Sequence, residues 1–218
     1  MSAVPDFTLY GYFRSSAAFR VRIALNLKGI AAELASVHLR KGMQRKEDYR
    51  RLNPQELVPL LVHKDTAIGQ SLAIIEYLDE IVPEPPLLPK DSKGRARVRQ
   101  IALAIACDIH PLNNLRVLQF LQQRFGANEP AVADWQRHWM GLGFSALEEI
   151  LSRDARRGAF CHGDTPTLAD ICLVPQLANA RRVETDLSAF PTLLGIEKEA
   201  YRLSAFEAAR PQNQPDAE

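Results

Sequence analysis

The sequence predicts an α+β domain followed by an all-α domain. Strand and helix signals alternate over roughly the first 80 residues, a mixture that single-layer helical proteins do not show. Four prolines then fall within seven residues, in Pro83-Glu84-Pro85-Pro86-Leu87-Leu88-Pro89, which excludes helix and strand interiors and marks a linker. Beyond that break the strand signals vanish. The expected division is a first domain over 5–86, a proline-rich linker over 83–91, a helical domain over 92–210 and a frayed polar tail over 211–218.

The elements follow in order. Leu9, set among aromatics and Thr8, centres a strand over Phe7–Tyr12. Val21, Ala24 and Leu25 recur at helical spacing, with Ile23 and Leu27 widening the stripe. Ser16, or Ser15 beside it, suits the N-cap of that helix, and Gly29 suits its left-handed end. Ala35, Val37 and Leu39 alternate as in a half-buried strand, and a polar stretch from Arg40 to Arg51 follows. Leu57–Val62 is a strand candidate whose Pro59 must lie at a start, an edge or a special turn. Thr66–Gly69 suits a partner strand, and Leu72, Ile75, Leu78 and Val82 give a helix capped by Ser71. Four further helices are predicted over Arg95–Phe125, Pro130–Leu151, Leu168–Val183 and Leu193–Ala209, the third opened by a Thr167…Asp170 capping box.

Composition narrows the function. A chain of 218 residues with 46% hydrophobic content builds a substantial core. With 27 basic and 26 acidic residues, the net charge of +1 gives no footprint for nucleic acid or for an anionic membrane. No apolar run approaches a membrane span, and the opening Met-Ser-Ala-Val-Pro-Asp has no leader pattern. Cys107, Cys161 and Cys172 lack CxxC spacing, which speaks against a disulfide framework and against zinc and fits a reducing cytoplasm. His38, His63, His138 and His162 form no ligand-spaced set, so no metal is expected; Trp135 and Trp139 read as core or interface, and Cys161 and Cys172 as packing residues.

Two segments carry chemistry. At Arg14-Ser15-Ser16 a helix N-terminus, with free N–H groups and a positive dipole end, lies beside two hydroxyls and a guanidinium. That arrangement suits an anion, a thiolate included; a plain capping serine with a surface arginine is the other reading. In Cys107-Asp108-Ile109-His110-Pro111-Leu112-Asn113-Asn114-Leu115-Arg116, a helical reading brings His110, Asn113 or Asn114, and Arg116 or Val117 within one or two turns, with Pro111 kinking or restarting the helix. A solvated polar face with one incidental histidine is the alternative there.

Taken in order, Tyr12-Phe13-Arg14-Ser15-Ser16, Asn53-Pro54, Val58-Pro59, Gln70–Leu78, Thr167…Asp170, Leu173-Val174-Pro175-Gln176, Ala178–Arg182, Asp186-Leu187 and Phe190-Pro191 resemble the glutathione transferases, and the first of these runs resembles their zeta class. The resemblance spans nearly the whole chain. It implies a thioredoxin-like first domain, a helical second domain, a homodimer and glutathione as cofactor. Position by position, it implies that Ser15 stabilises the glutathione thiolate with Ser16 in support, and that Gln44 contacts the tripeptide. Val58 would pair its backbone with the cysteinyl unit, ahead of a cis Pro59, and Gln70 and Ser71 would hold the γ-glutamyl end. In the second domain it implies His110 and Asn114 on glutathione and Arg116 on an acidic substrate, joined by Arg182 and Arg14 as carboxylate anchors. The activity implied is glutathione-dependent cis–trans isomerisation of maleylacetoacetate, the branch that the Phe13–Ser16 start looks more like. Isomerisation of maleylpyruvate, general glutathione conjugation and a non-catalytic binding module are the alternatives. One position departs from the pattern: the class commonly has Cys after the two serines, and this chain has Ala17. A protein thiol is therefore excluded there, and glutathione would supply the sulfur.

Overall fold

The computed structural model describes residues 6–218; positions 1–5, where the first domain was expected to begin and where no leader was read, lie outside the described residues. The chain divides into two compact units, one of residues up to Leu87 together with Arg202–Glu218, the other of Leu88–Tyr201.

In the first unit, β1 (Phe7–Gly11), α1 (Ser16–Lys28) and β2 (Glu33–Ser36) form a β-α-β start, and α2 (Glu47–Leu52) leads to the hairpin β3 (Leu60–His63) and β4 (Thr66–Gly69), closed by α3 (Ser71–Ile81). The sheet order is β2-β1-β3-β4, with β1 parallel to β2 and antiparallel to β3. Alternation along the strands sends Leu9 and Leu61 into the core, where Phe19, Ile23, Ile74, Ile75 and Leu78 from α1 and α3 are also buried. On the other face Leu60 joins Val37 and Tyr49, with Tyr10, Met43, Val58 and Val62 packed around them. The predicted strand through Leu39 ends at Ser36, and Val37 serves as a core residue just beyond it.

Helix α1 is not the amphipathic helix that its spacing predicts. Arg20, Arg22 and Lys28 are buried along with its apolar residues, because α1 packs against α3 and also against the short α9 (Ser204–Ala208). Each cation meets a distant oxygen: Arg20 donates to Ser71 Oγ at 3.3 Å, Arg22 to the carbonyls of Phe13 and Ala209 at 3.1 and 3.0 Å, and Lys28 to Asp79 at 2.6 Å. Periodicity alone cannot see partners so far away in sequence. The same bonds explain why Arg202–Glu218 belongs with the first unit rather than with the expected helical domain, and why 211–218 is no frayed tail. Phe206 is fully buried, Asn26 donates to the Ala205 carbonyl at 2.9 Å, and Gln214 donates to the carbonyls of Ala208 and Arg210. The proline-rich stretch is irregular, as its prolines dictate, yet tied down: Asp79 accepts from Leu87 N–H at 2.9 Å and Lys28 reaches the Pro85 carbonyl.

The second unit is helical: α4 (Ser92–Leu103), α5 (Leu115–Phe125), α6 (Glu129–Ser152), α7 (Leu168–Arg182) and α8 (Pro191–Ala200). Between α4 and α5 the predicted continuous helix breaks into a π-helical turn over Ala104–Ile109 and a 3₁₀ turn over Pro111–Asn113. Pro111 has no N–H to continue the ladder, and Asn114 recaps the chain into α5. The last predicted helix likewise stops at Ala200 and restarts at Ser204. Helix α7 is the axis of the unit, buried on nearly every face and packed against α4, α6 and α8. Its capping box forms as predicted, and Asp170 accepts from Thr167 N–H at 2.8 Å, the Thr167 hydroxyl at 3.0 Å and Cys161 N–H at 2.7 Å. Burial still pushes the Asp170 carboxyl up.

Candidate active site

In the first unit the sequence places a turn over Tyr12–Ser15, closed by Ser15 N–H on the Tyr12 carbonyl at 2.9 Å. Of the two candidate caps, Ser15 takes the position: its Oγ accepts from Ala18 N–H at 3.1 Å. An oxygen engaged as acceptor leaves its hydroxyl hydrogen to donate elsewhere. Ser15 is half-buried at the head of α1, whereas Ser16 is buried inside the first turn. Arg14 lies with its guanidinium 5.0 Å from the Phe13 ring centroid. Ala17 is buried, so the chain presents no thiol beside these hydroxyls.

Other residues of the first-unit group lie at the cis peptide before β3, at the head of α3 and in a 3₁₀ turn. The Val58–Pro59 peptide bond is cis. Just before it, the Leu57 carbonyl accepts from the Tyr49 hydroxyl at 2.6 Å and from Asn53 Nδ2 at 2.8 Å, which fixes the approach of Val58. Burial pushes the Tyr49 phenol up to about 12, so it remains a donor throughout the neutral range. At the head of α3, Gln70 has φ 65°, a left-handed conformation unusual for a side chain with a Cβ and characteristic of functional turns. Gln70 Nε2 donates to Gln55 at 3.0 Å. Ser71, predicted as the cap, is instead the first helical residue, and its Oγ accepts from Arg20. Gln44 sits in a 3₁₀ turn (Met43–Arg45), buried, with no hydrogen-bond partner for its Oε1.

In the second unit, His110, Asn114 and Arg116 do not share one helical face as their spacing suggests. His110 is half-buried at the end of the π turn, its N–H on the Ile105 carbonyl at 2.9 Å. Asn114 is the N-cap of α5, accepting from Arg116 N–H at 3.1 Å, and the Arg116 side chain is exposed. Asn113 donates to the Ile109 carbonyl at 2.8 Å, and Trp135 Nε1 on α6 donates to the Leu112 carbonyl at 2.8 Å, so the break is held from both sides. The double arginine at the end of α7 divides its tasks. Arg181 makes a two-point pair with the buried Glu197, both bonds at 2.5 Å, whereas the exposed Arg182 donates to Asn179 Oδ1 at 2.6 Å. Among the described residues no cluster of His, Cys, Asp and Glu could hold a metal ion, and no helix is long and apolar enough to cross a membrane.

Sequence reasoning missed Asn53, Tyr49 and Arg20 as supports of this site. Asn53-Pro54 was visible as a motif, but the carbonyl that Asn53 holds follows four residues later in an irregular segment. Nothing in the spacing of Arg20 distinguishes a buried guanidinium from a surface one.

Comparison with known proteins places this arrangement. Residues 14–81 match the family model for the glutathione S-transferase N-terminal domain, and residues 129–209 match that for its C-terminal domain. A probable maleylacetoacetate isomerase of Vibrio cholerae is 49% identical, the match covering 96% of this chain and 97% of the relative. A maleylpyruvate isomerase of a Ralstonia species is 47% identical over 96% and 99%. Among solved structures, the holo form of a bacterial zeta-class maleylpyruvate isomerase superposes with a TM-score of 0.95 at 46% identity, over 97% of this chain and 100% of that one. A maleylacetoacetate isomerase of Methylobacterium extorquens AM1 with bound malonate and GSH gives 0.95 at 42% identity, over 97% and 99%. The chain therefore belongs to the glutathione S-transferase family, and within it to the zeta class.

Proposed function

We propose that this protein is a glutathione-dependent cis–trans isomerase of a maleyl-type keto acid, with maleylacetoacetate as its substrate. The observation that carries the reading is the pairing, within the first unit, of two helix N-termini: the Ser15-capped head of α1 and the Gln70–Ser71 head of α3, joined through the Arg20–Ser71 bond. The residues fit glutathione, a thiol with carboxylates at both ends. The buried Gln44 Oε1 has no partner, the Ser15 and Ser71 oxygens are both already accepting and so keep a hydrogen to give, and each helix head favours negative charge.

Glutathione, when bound, supplies the sulfur nucleophile whose reversible addition lets the cis double bond rotate. Ser15 donates to that sulfur and, with the α1 dipole, holds it as a thiolate; Ser16 supports the turn. The Val58 backbone aligns the cysteinyl unit, Gln44 contacts the tripeptide, and Gln70 and Ser71 hold its γ-glutamyl end. His110 and Asn114 are further glutathione contacts. Arg14, Arg116 and Arg182 anchor the substrate carboxylates, since a guanidinium grips a carboxylate at two points. The bond of Arg181 to Glu197 supports this choice of Arg182. We further propose a homodimer in the cytoplasm.

Assays with and without glutathione on maleylacetoacetate, maleylpyruvate and a chlorinated aromatic electrophile test the reading. Isomerisation that needs glutathione and is fastest on maleylacetoacetate is expected. Equal rates without glutathione would overturn it, and faster turnover of the aromatic electrophile would make the protein a general transferase. Ser15→Ala should lower turnover by about 10²-fold with folding intact. Arg116→Ala and Arg182→Ala should each raise the KM for the acidic substrate by about 10- to 100-fold and leave calorimetric glutathione affinity unchanged. If both arginine variants keep a normal KM and kcat, those guanidiniums are surface charges.

A further inference from the structure

The turn that presents Ser15 is held by residues far from it in sequence. Phe13, inside the Tyr12–Ser15 turn, has both backbone polar groups engaged: its N–H donates to Asp216 Oδ2 at 3.1 Å, and its carbonyl accepts from Arg22 Nη2 at 3.1 Å. The same Asp216 oxygen accepts from the Ser36 hydroxyl at 2.9 Å, at the end of β2, and Arg22 Nε donates to the Ala209 carbonyl at 3.0 Å. Two residues further along the same tail, Glu218 pairs with His38 at 2.8 Å and lies 3.6 Å from Lys41. The tail is itself braced by Gln214 on the carbonyls of Ala208 and Arg210.

We infer that the segment Pro211–Glu218 is a strap that positions the catalytic turn, with Asp216 and Arg22 as its positioning residues; this rests on the reading of Ser15 as the thiolate donor. The physical argument is geometric. A turn projecting from a sheet end has no ladder to fix it, and its peptide units rotate unless their N–H and C=O groups are both held. Here a carboxylate holds the N–H of Phe13 and a buried guanidinium holds its carbonyl. The peptide planes on both sides of Phe13 are thereby set, two residues ahead of Ser15. Charge-assisted bonds are the stronger kind, and these two lie on groups that are coupled to each other: burial draws the Arg22 guanidinium down to about 10, and Asp216 opposes that. Burial also pushes the Tyr12 phenol in this turn up, and the His38 ring is tilted against it with the centroids 4.9 Å apart.

Asp216→Ala and Asp216→Asn separate position from charge. Both remove the carboxylate charge, but asparagine keeps an oxygen that accepts from Phe13 N–H. The readouts are kcat at a temperature well below unfolding, calorimetric glutathione affinity, and the pH midpoint of thiolate ultraviolet absorbance in the glutathione complex, with Ser15→Ala alongside. The expected result is an Asp216→Ala enzyme about tenfold slower, with its thiolate midpoint raised, glutathione affinity within about twofold of wild type, and Asp216→Asn close to wild type. A wild-type kcat and midpoint in Asp216→Ala would overturn the strap while a shifted Ser15→Ala left the thiolate reading standing. Equal midpoint shifts in both Asp216 variants would show an effect of charge and overturn positioning. An unshifted Ser15→Ala would overturn the thiolate reading and the strap with it. Should Asp216→Ala not fold, Ser36→Ala, which removes one of the two donors steadying Asp216, is expected to raise the midpoint in the same direction by less, and no rise would overturn the proposal.

Discussion

A single carbonyl shows how the first-unit site depends on side chains that bear no chemistry of their own. The Leu57 oxygen accepts from both Tyr49 and Asn53, immediately before Val58 and the cis Pro59, and Asn53 Oδ1 meanwhile accepts from Gln55 N–H at 3.1 Å. Asn53 is buried, so its amide bridges two backbone groups that water does not reach. Asn53→Ala leaves the Gln55 N–H without this acceptor and the Leu57 carbonyl with one donor. The expected outcome is a loss of about 1–2 kcal/mol in stability, read by urea unfolding, together with a several-fold weaker glutathione affinity by calorimetry. Unchanged affinity with lowered stability would make Asn53 a brace for the loop alone. At this scale the sequence exposes the residues but not their targets. Ser15 and Gly29 are legible as caps because capping is a local matter, whereas Ser71 moves from cap to first turn because the positive φ of Gln70 opens the helix one residue earlier.

Among the elements, the break at His110 is where sequence periodicity and structure part. The apolar spacing of Arg95–Phe125 predicts one helix, and the chain instead makes a π turn, a 3₁₀ turn and a fresh helix capped by Asn114. A proline signals such a break, but only packing decides its form, and here a glycine on α6 decides it. A Cβ at Gly143 would come within 2.3 Å of Ile109 Cδ1 and 2.4 Å of its Cγ1, and Ile109 is 1% exposed, so it has nowhere to retreat. The missing side chain on α6 is what lets the π turn approach. Gly143→Ala, although it improves intrinsic helix propensity, should destabilise the protein by about 1–3 kcal/mol by thermal denaturation. Adding Ile109→Ala should recover part of that loss in a double-mutant cycle, because the two substitutions share one space. A neutral or stabilising Gly143→Ala would show that the π turn yields easily. Substrate KM measured on the same variant reports whether His110 and Arg116 need the break held.

Across the whole molecule, the two-unit architecture is legible because it is written in composition: strands before the prolines, helices after them. The return of Arg202–Glu218 to the first unit is not, since a polar tail reads as frayed until the donors that meet it, Phe13 N–H and the buried guanidinium of Arg22, are in place. Charge behaves likewise. A net charge of +1 conceals several cations taken out of water, each matched individually. In the second unit the buried Arg97 of α4 is held through Nε by Asp154, which also binds Arg156 by a 2.8 Å bond, and the Arg97 Nη1 and Nη2 atoms have no other hydrogen-bond partner. These bonds, that of Arg156 first, hold the Asp154 carboxyl well below the usual carboxylate range. A carboxyl whose pKa falls on folding contributes stability that is complete above its unfolded value, about 3.9, and is lost as the pH falls through the lower, folded value. Asp154→Asn should therefore destabilise the protein by about 3 kcal/mol at pH 7, since it leaves Arg97 buried without its counter-charge. The gap between wild type and variant should stay constant from pH 7 to about 5 and close below about 4, as the wild type loses what the variant never had. Chemical denaturation across that range measures it, and a gap that persists in acid would assign the effect of Asp154 to packing rather than to charge.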